Sequence, residues 1–179
     1  CTVTVPYKRK NFMPRLDYVR KEYLSTDIAY LAGIIDGEGC IYIGNFSNNP
    51  KTGEPYHQTN MQVTSTDQPL IDWLVVTFGG LFSKRTAKQH SINSRKQAYM
   101  WTASGERLTH LCELILPFLK IKTRQCEIML KMRKTYDIPH FQKGHSGALT
   151  LDPQIRALRQ SYMDEIRSLH IRTFSHKNN

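Results

Sequence analysis

The stretch from Leu31 to Gly39 reads Leu-Ala-Gly-Ile-Ile-Asp-Gly-Glu-Gly, an apolar run that ends in two acids and two glycines. Small residues recur at every fourth position, Ala29, Gly33 and Gly37, so they would share one helix face. A helix with such a bare face lets a second helix approach to backbone contact distance. An ordinary buried helix with a glycine C-cap is the plainer interpretation, but it leaves the two acids unexplained.

The residues just before this stretch predict where its helix begins. Ser25 and Thr26 are good N-cap residues, and Asp27 favours the positive end of a helix dipole. We therefore expect a helix over 28–35 that ends within 36–39. The polar, basic residues 1–24 predict an extended arm with, at most, a short helix over 17–24, which could contact DNA as an accessory arm.

After Gly39 the apolar period changes from that of a helix to two, which predicts a half-buried antiparallel hairpin with a long connection over 47–55. Odd positions are apolar and even positions are polar: Ile41, Ile43, Met61 and Val63 against Gln58, Asn60, Gln62 and Thr64. One face of the hairpin should therefore pack on a core and the other should stay open.

The remaining chain predicts one more strand pair and four more helices. The pair is expected at 81–87 and 97–103, and the helices at 69–78, 105–116, 122–134 and from 153 onward, capped by Asp152, with a loop over 137–151 between the last two. Helices and antiparallel hairpins that alternate once, without internal repeat, predict a single α+β domain.

Composition limits the partners of this domain. The 179 residues include 25 Lys and Arg against 15 Asp and Glu, a formal charge of +10, which favours a polyanion such as nucleic acid. No apolar run approaches the roughly 20 residues that span a bilayer. The four cysteines lie far apart, without a C-x-x-C pair, and are expected to be reduced thiols in an intracellular protein: Cys1, Cys40, Cys112 and Cys126.

The stretch 31–39 closely resembles the LAGLIDADG signature of homing endonucleases, with departures at Ile34, Gly37 and Glu38. The resemblance covers about residues 26–135 and is to members with a single motif. It implies their αββαββα-type core, in which helices cover one face of a four-stranded antiparallel DNA-binding sheet. The expected organisation is an arm at 1–24 and one endonuclease domain at 25–179, whose C-terminal helix is an addition.

In that family, the last acid of the motif binds a divalent metal, and the motif helices of two copies pack together. The resemblance therefore implies Glu38 as metal ligand and catalytic residue, with the Gly37 carbonyl as a further ligand. The implied ion is Mg²⁺, with Mn²⁺ as a substitute. A single motif implies a homodimer, in which Ala29, Gly33, Asp36 and Gly37 form the interface; Asp36 points away from Glu38 and serves either this interface or the turn.

Two more segments extend the resemblance. Residues 117–125 read Pro-Phe-Leu-Lys-Ile-Lys-Thr-Arg-Gln and resemble a family stretch whose second lysine lies near the scissile phosphate, here Lys122. A solvated basic helix start is the alternative interpretation of Lys122. Residues 61–68 resemble the second strand and its turn, which places Ser65 where the family has a water-organising glutamine. Pro69 stands where a basic residue often follows, so that second role is not carried over.

The open sheet face and its basic rim form the expected DNA interface. Side-chain amides can pair with adenine in the major groove, Arg85 suits guanine, and the lysines suit phosphates. The predicted contacts are Tyr42, Asn48, Lys51, Tyr56, Gln58, Asn60, Gln62, Thr64, Ser83, Lys84, Arg85, Lys88, Tyr99 and Trp101.

The implied function is site-specific cleavage of double-stranded DNA at a pseudo-palindromic target of about 20 bp. The family precedent adds short 3′ overhangs, an origin in a mobile intron or intein, and a location in an organelle or a bacterium. Two alternatives stay open on the same fold: an intron maturase that binds the intron RNA, and a DNA-binding regulator that does not cleave. The presence of both Glu38 and Lys122 favours the endonuclease.

Overall fold

The structure is a computed structural model that describes residues 19–48, 55–85, 97–137, 141–143 and 149–172. Residues 19–24 form neither helix nor strand, so of the two predictions for the arm, extended chain or a short helix over 17–24, the described part agrees with the extended chain. The described elements are α1 (Ser25–Gly37), β1 (Gly39–Asn48), β2 (Pro55–Ser65), α2 (Gln68–Phe78), β3 (Leu81–Arg85), β4 (Ala98–Ser104), α3 (Gly105–Ile115), a 3-10 turn (Leu116–Phe118), α4 (Thr123–Lys134), β5 (Phe141–Lys143), β6 (Leu149–Leu151) and α5 (Pro153–Arg172).

Helix α1 buries one stripe and exposes the opposite one. Its buried residues, Ile28, Leu31, Ala32 and Ile35, follow the i, i+3, i+4, i+7 spacing of a single helix face. The N-cap residue is Leu24, which has no capping side chain, so the caps predicted at Ser25 and Thr26 are wrong. Burial of the stripe therefore fixes this helix more than capping does.

The change from α1 to β1 depends on Gly39. A Cβ placed on this residue would lie 2.6 Å from Ile35 Cα and 2.9 Å from the Ile35 carbonyl oxygen. Such contacts are with backbone, which cannot move aside as a flexible side chain can. Glycine is therefore required here by the close approach of the strand to the last helical turn.

Strands β1 to β4 form the predicted four-stranded antiparallel sheet, and their order in it is β1-β2-β4-β3. Gly39 is paired with Val63, and Tyr42 with Asn60. The apolar odd positions of β1 and β2 lie in the core: Ile41, Ile43, Met61 and Val63. The even positions lie on the opposite side, which we call the open face.

The described helices pack against the core side of this sheet or against each other: α2 contacts β2 and β4, α3 contacts β2, and α5 contacts β1 and α4. The cap predicted at Asp152 is confirmed, since its Oδ1 accepts a hydrogen bond from the Gln154 backbone N–H at 2.8 Å. The continuous loop predicted over 137–151 is wrong, because β5 and β6 pair there as a small hairpin. None of the described helices is both long and apolar enough to cross a membrane.

The alternation along β2 gives a direct stability test. Val63→Ala should lower the free energy of unfolding by about 1–3 kcal/mol, because Val63 is fully buried and its loss leaves a cavity. Gln62→Ala, one residue earlier on the open face, should change it by less than about 0.5 kcal/mol. Denaturant unfolding of both variants measures this, and equal losses would contradict the assigned faces.

Candidate active site and nucleic-acid interface

The carboxylate of Asp36, in the last turn of α1, caps the chain segment that leads into α4. Oδ2 accepts hydrogen bonds from the backbone N–H groups of Lys120 and Ile121, at 2.6 and 3.2 Å, and Oδ1 accepts one from Lys122 at 2.9 Å. Asp36 was predicted to serve the dimer interface or the turn at the end of α1. Its carboxylate binds backbone N–H groups of its own chain next to that turn, and a role in the interface remains a prediction.

The Lys122 side chain also joins this segment to α1, here as the hydrogen-bond donor. Its Nζ donates hydrogen bonds to the carbonyl oxygens of Ile35, at 2.8 Å, and Asp36, at 2.7 Å. These carbonyls belong to the C-terminal end of α1, where the helix dipole favours a cation. We call the five hydrogen bonds between Asp36 and residues 120–122, and between Lys122 and α1, the clasp. The clasp places an ammonium group directly beside the acidic end of α1.

Charge and burial act in opposite directions on both members of the clasp. Burial alone would raise the pKa of the Asp36 carboxyl, but the three backbone N–H groups and the charge of Lys122 together hold it below its ordinary value. Burial lowers the pKa of the Lys122 ammonium, although the charge of Asp36 and, to a smaller extent, those of Cys40 and Glu38 oppose the shift. Lys122 and Glu38 are therefore close enough to interact electrostatically.

Glu38 follows α1 directly and is exposed. Its carboxylate and the Gly37 carbonyl are hard oxygen donors of the kind that Mg²⁺ prefers, so their chemistry fits the implied ion. Among the residues that the structure describes, no three His, Cys, Asp or Glu side chains gather into a metal site. A metal ion held by Glu38 and the Gly37 carbonyl would take its remaining oxygen ligands from water, from phosphates or from a second copy of the chain.

Ser65 lies at the same end of the β1–β2 hairpin as Glu38, because it follows the pairing of Val63 with Gly39 by two residues. Its hydroxyl oxygen accepts a hydrogen bond from the Asp67 backbone N–H at 3.0 Å. This bond shapes the turn into α2, and the hydroxyl hydrogen can still be donated to water. The role of Ser65 in organising water remains a prediction.

The exposed stripe of α1 carries the small residues that were singled out in the sequence. Ala29, Gly33 and Gly37 are all exposed, and a Cβ on either glycine would meet no heavy atom within 4 Å. Tyr30, beside this stripe, is 57% exposed and packs its ring on Trp73 at a centroid distance of 5.1 Å. The stripe is open in the single chain, as a helix-packing surface has to be.

The strand register places six of the predicted DNA contacts on the open face: Tyr42, Gln58, Asn60, Gln62, Thr64 and Ser83. Ser83 is assigned to this face through the pairing of β3 with β4. Arg85 lies on the same side, and its Nη2 is 3.4 Å from Met100 Sδ. Asn60 is buried and donates a hydrogen bond to the Tyr42 hydroxyl at 3.3 Å, so its amide is partly used. Burial raises the pKa of Tyr42, although Asn60 opposes the shift.

Two predicted DNA contacts lie on the wrong side of the sheet. Trp101 is paired with Val63, is fully buried and donates its indole N–H to the Gly79 carbonyl oxygen at 2.6 Å. Tyr99 is paired with Ser65 and packs against the core. Paired residues of antiparallel strands project to the same face, so neither aromatic side chain can contact DNA across the open face.

The same register shows which residues the sequence interpretation missed. Met100 is paired with both Thr64 and Ser83, and Thr102 with both Gln62 and Leu81, so they lie on the open face. Period-two alternation within β4 could have found them. Lys84 is exposed on the edge strand β3, but it is paired with Tyr99 and therefore lies on the core side of the sheet rather than on the open face. The predicted contacts Lys51 and Lys88, and the side chains of Asn48 and Tyr56, lie outside what the structure describes.

The architecture is similar to that of solved homing endonucleases. I-CvuI, in complex with its target in the presence of Ca, superposes with a TM-score of 0.61 at 18% identity over 81% of this chain and 82% of that one. The archaeal intron-encoded I-Vdi141I, complexed with DNA, gives 0.55 at 12% identity over 80% and 94%. I-TnaI gives 0.52 at 17% identity over 79% and 84%. No family model and no curated protein matches the sequence.

These likenesses and the strand order define the class: an α+β protein whose four-stranded antiparallel sheet is covered by helices on one face. The particular fold is that of the LAGLIDADG homing endonucleases, as the motif in α1 implies. At identities of 12–18%, the likenesses establish the fold of this chain and leave its activity to be argued from its own residues.

The Asp36 cap gives a pH-dependent prediction. Asp36→Asn should cost roughly 1–2 kcal/mol of unfolding free energy at neutral pH, the usual value of a lost helix cap. The folded-state pKa lies below the ordinary 3.8, so the stabilisation is complete above about pH 5 and is lost as the pH falls through the folded-state pKa. The difference between wild type and variant in denaturant unfolding should therefore shrink in acid.

Asp67→Asn is the matched control, because Asp67 precedes α2 without forming a side-chain cap bond. It should change stability by less than about 0.5 kcal/mol. A difference between wild type and Asp36→Asn that stayed constant down to pH 2 would show that the ionised carboxylate does not stabilise the fold.

Proposed function

We propose that this chain is a site-specific endonuclease for double-stranded DNA that acts as a homodimer with a divalent metal ion. The observation that carries the proposal is the exposed Glu38 at the end of α1, whose last turn also holds the Lys122 ammonium through two hydrogen bonds. The charge of +10 favours a polyanionic partner. I-CvuI and I-Vdi141I, which share the fold, are both described in complex with DNA.

The polar side chains of the open face support the proposal that the sheet recognises base pairs. Gln62 and Thr64 present an amide and a hydroxyl, and Arg85 presents a guanidinium on the neighbouring pair of strands. Such groups bind adenine and guanine edges in the major groove, which is wide enough for a β-ribbon. Two copies related by a two-fold axis would read a pseudo-palindromic target of about 20 bp.

The chemistry proposed for the site is phosphodiester hydrolysis. Glu38 and the Gly37 carbonyl would hold Mg²⁺, or Mn²⁺ in its place, which polarises phosphoryl oxygens when bound. Lys122 is held by the clasp and contributes positive charge where negative charge develops on the phosphate. Short 3′ overhangs, an origin in a mobile intron or intein, and an intracellular location in an organelle or a bacterium belong to the same proposal.

The proposed homodimer is supported by the stripe of small residues on α1, which is exposed in the single chain. Packing two α1 helices through Ala29, Gly33 and Gly37 would bring both Glu38 residues to the dimer axis. Each copy would then serve one DNA strand, which explains how a chain with a single motif can break both strands.

Glu38→Gln should abolish cleavage and leave DNA binding within about threefold of wild type, because it removes the anionic metal ligand and almost no contact area. The substrate is a duplex recovered by binding-site selection with the wild-type protein. Single-turnover cleavage in Mg²⁺ and a filter-binding titration measure the two effects separately.

Glu113→Gln is the control, since Glu113 is an exposed acid that pairs with Arg20 on the surface. Its cleavage rate should equal that of wild type. Cleavage by Glu38→Gln within tenfold of wild type would remove Glu38 from the site. A wild-type protein that binds the selected duplex without cutting it would favour the non-cleaving regulator, and preferential binding of intron RNA would favour the maturase.

Gly33→Leu should weaken dimerisation by at least about tenfold, because a branched side chain would fill the space in which the two helices meet. Ser161→Leu adds the same group at an exposed position of α5 and should leave association unchanged. Sedimentation equilibrium measures both. A Gly33→Leu protein that dimerises as tightly as wild type would show that α1 is not the interface.

A further inference from the structure

Helix α5 runs in the opposite direction to α4, so that its C-terminal end meets the beginning of α4. In the second turn of α5, Arg159 Nε donates a hydrogen bond to the hydroxyl of Thr135, the C-cap residue of α4, at 2.9 Å. Further along α5, Glu165 Oε1 accepts a hydrogen bond from Arg124 Nε at 3.0 Å, in the first turn of α4. The last turn of α5 is therefore directed toward Lys122, the N-cap residue of α4.

The side of α5 that packs on the domain ends in a histidine. Arg159, Met163 and Ile166 are buried at a spacing of four and three residues, which is that of one helix face. His170 takes the next position of this face, in the last turn of the helix, and is half-buried. Strand β1, which begins directly after Glu38, also contacts α5. His170 thus lies on the packed side of a helix that borders both β1 and α4.

The electrostatics of His170 agree with this placement. His170 follows Glu165 by five residues, a rise of about 7.5 Å along the helix, which brings it to the level of Lys122. Burial and the charge of Lys122 lower the pKa of His170 from its ordinary 6.5, so the two groups are close enough to interact electrostatically. The imidazole is therefore mostly neutral at pH 7, and it adds a polar ring near the ammonium without adding a competing charge.

The position of the Lys122 ammonium matters for the proposed reaction. Its Nζ has three N–H groups, and the clasp uses two of them on the carbonyl oxygens of Ile35 and Asp36. The third is the one that a phosphate oxygen would accept. A lysine side chain is flexible, and a misplacement of about 1 Å can lower a catalytic rate by about 10². A side chain that restricts the ammonium therefore affects the rate more than the affinity for DNA.

We propose that His170 is a positioning residue of the active site, whose ring confines the Lys122 ammonium so that its third N–H is directed toward the scissile phosphate. The proposal rests on the proposed function for the role of Lys122. It makes α5, which lies outside the resemblance to the single-motif members, a part of the active site.

NMR titration of the histidine rings tests the placement on the full chain without DNA. Lys122→Met should shift the pKa of His170 upward, because it removes the charge that lowers it. The pKa of His110, which burial and the charge of Arg20 lower, should not change. His170→Gln identifies the His170 signal by its loss. If Lys122→Met does not fold, Lys122→Gln gives the same comparison, because its amide is neutral and can still donate to the carbonyl oxygens of α1.

Single-turnover cleavage at saturating protein tests the positioning role. His170→Ala should lower the rate by about tenfold and leave the dissociation constant for DNA within about threefold of wild type. His170→Gln, which keeps a neutral polar side chain, should recover most of the rate. Ser168→Ala, at an exposed position of the same end of α5, should match wild type in both measurements.

An unchanged pKa of His170 in a folded Lys122 variant would overturn the placement. Cleavage by His170→Ala at the wild-type rate, or an equal loss of binding and cleavage, would overturn the positioning role. A wild-type protein that does not cleave DNA would contradict the endonuclease and the positioning role with it. The upward shift of the His170 pKa would still be found in that case, because it depends only on the distance between the two side chains.

Discussion

The clasp between α1 and the start of α4 is the contact on which the candidate active site depends. The Asp36 carboxylate accepts hydrogen bonds from the backbone N–H groups of residues 120–122, and the Lys122 ammonium donates hydrogen bonds to two carbonyl oxygens of α1. The two sides neutralise each other, so both can be partly buried. Asp36, one acid of the motif, is used in this contact, whereas the other acid, Glu38, is exposed. Under the proposed function, Glu38 is the acid that binds the metal ion.

The position of the sheet follows from the way β1 leaves the end of α1. Gly39 allows β1 to leave α1 without a clash with Ile35, and pairing of Gly39 with Val63 sets the register of the hairpin. Because side chains alternate strictly along a strand, that register decides which residues lie on the open face, the proposed DNA interface, and which pack in the core. The single transition from α1 to β1 therefore positions three features: the open stripe of α1, the exposed Glu38 and the open face.

Much of this could be predicted from the sequence, where a local pattern carries the signal. Period-two alternation gave the correct faces of β1 and β2, and the motif predicted α1 and the fold. Tyr99 and Trp101 were assigned to DNA by residue type, although the register of β4 turns them to the core. The cap by Asp36 could not be predicted, because its partners lie 84–86 residues away.

Single-turnover cleavage by Lys122→Met tests the central claim, that the clasp sets a cation beside Glu38 for catalysis. At saturating protein, on a duplex obtained by binding-site selection, the rate should fall by a factor of about 10²–10³, while the dissociation constant for DNA changes less than about threefold. Thermal unfolding of the same sample establishes that the variant is folded at the assay temperature. A folded variant that cleaves at the wild-type rate, or that loses binding and cleavage equally, would contradict the account.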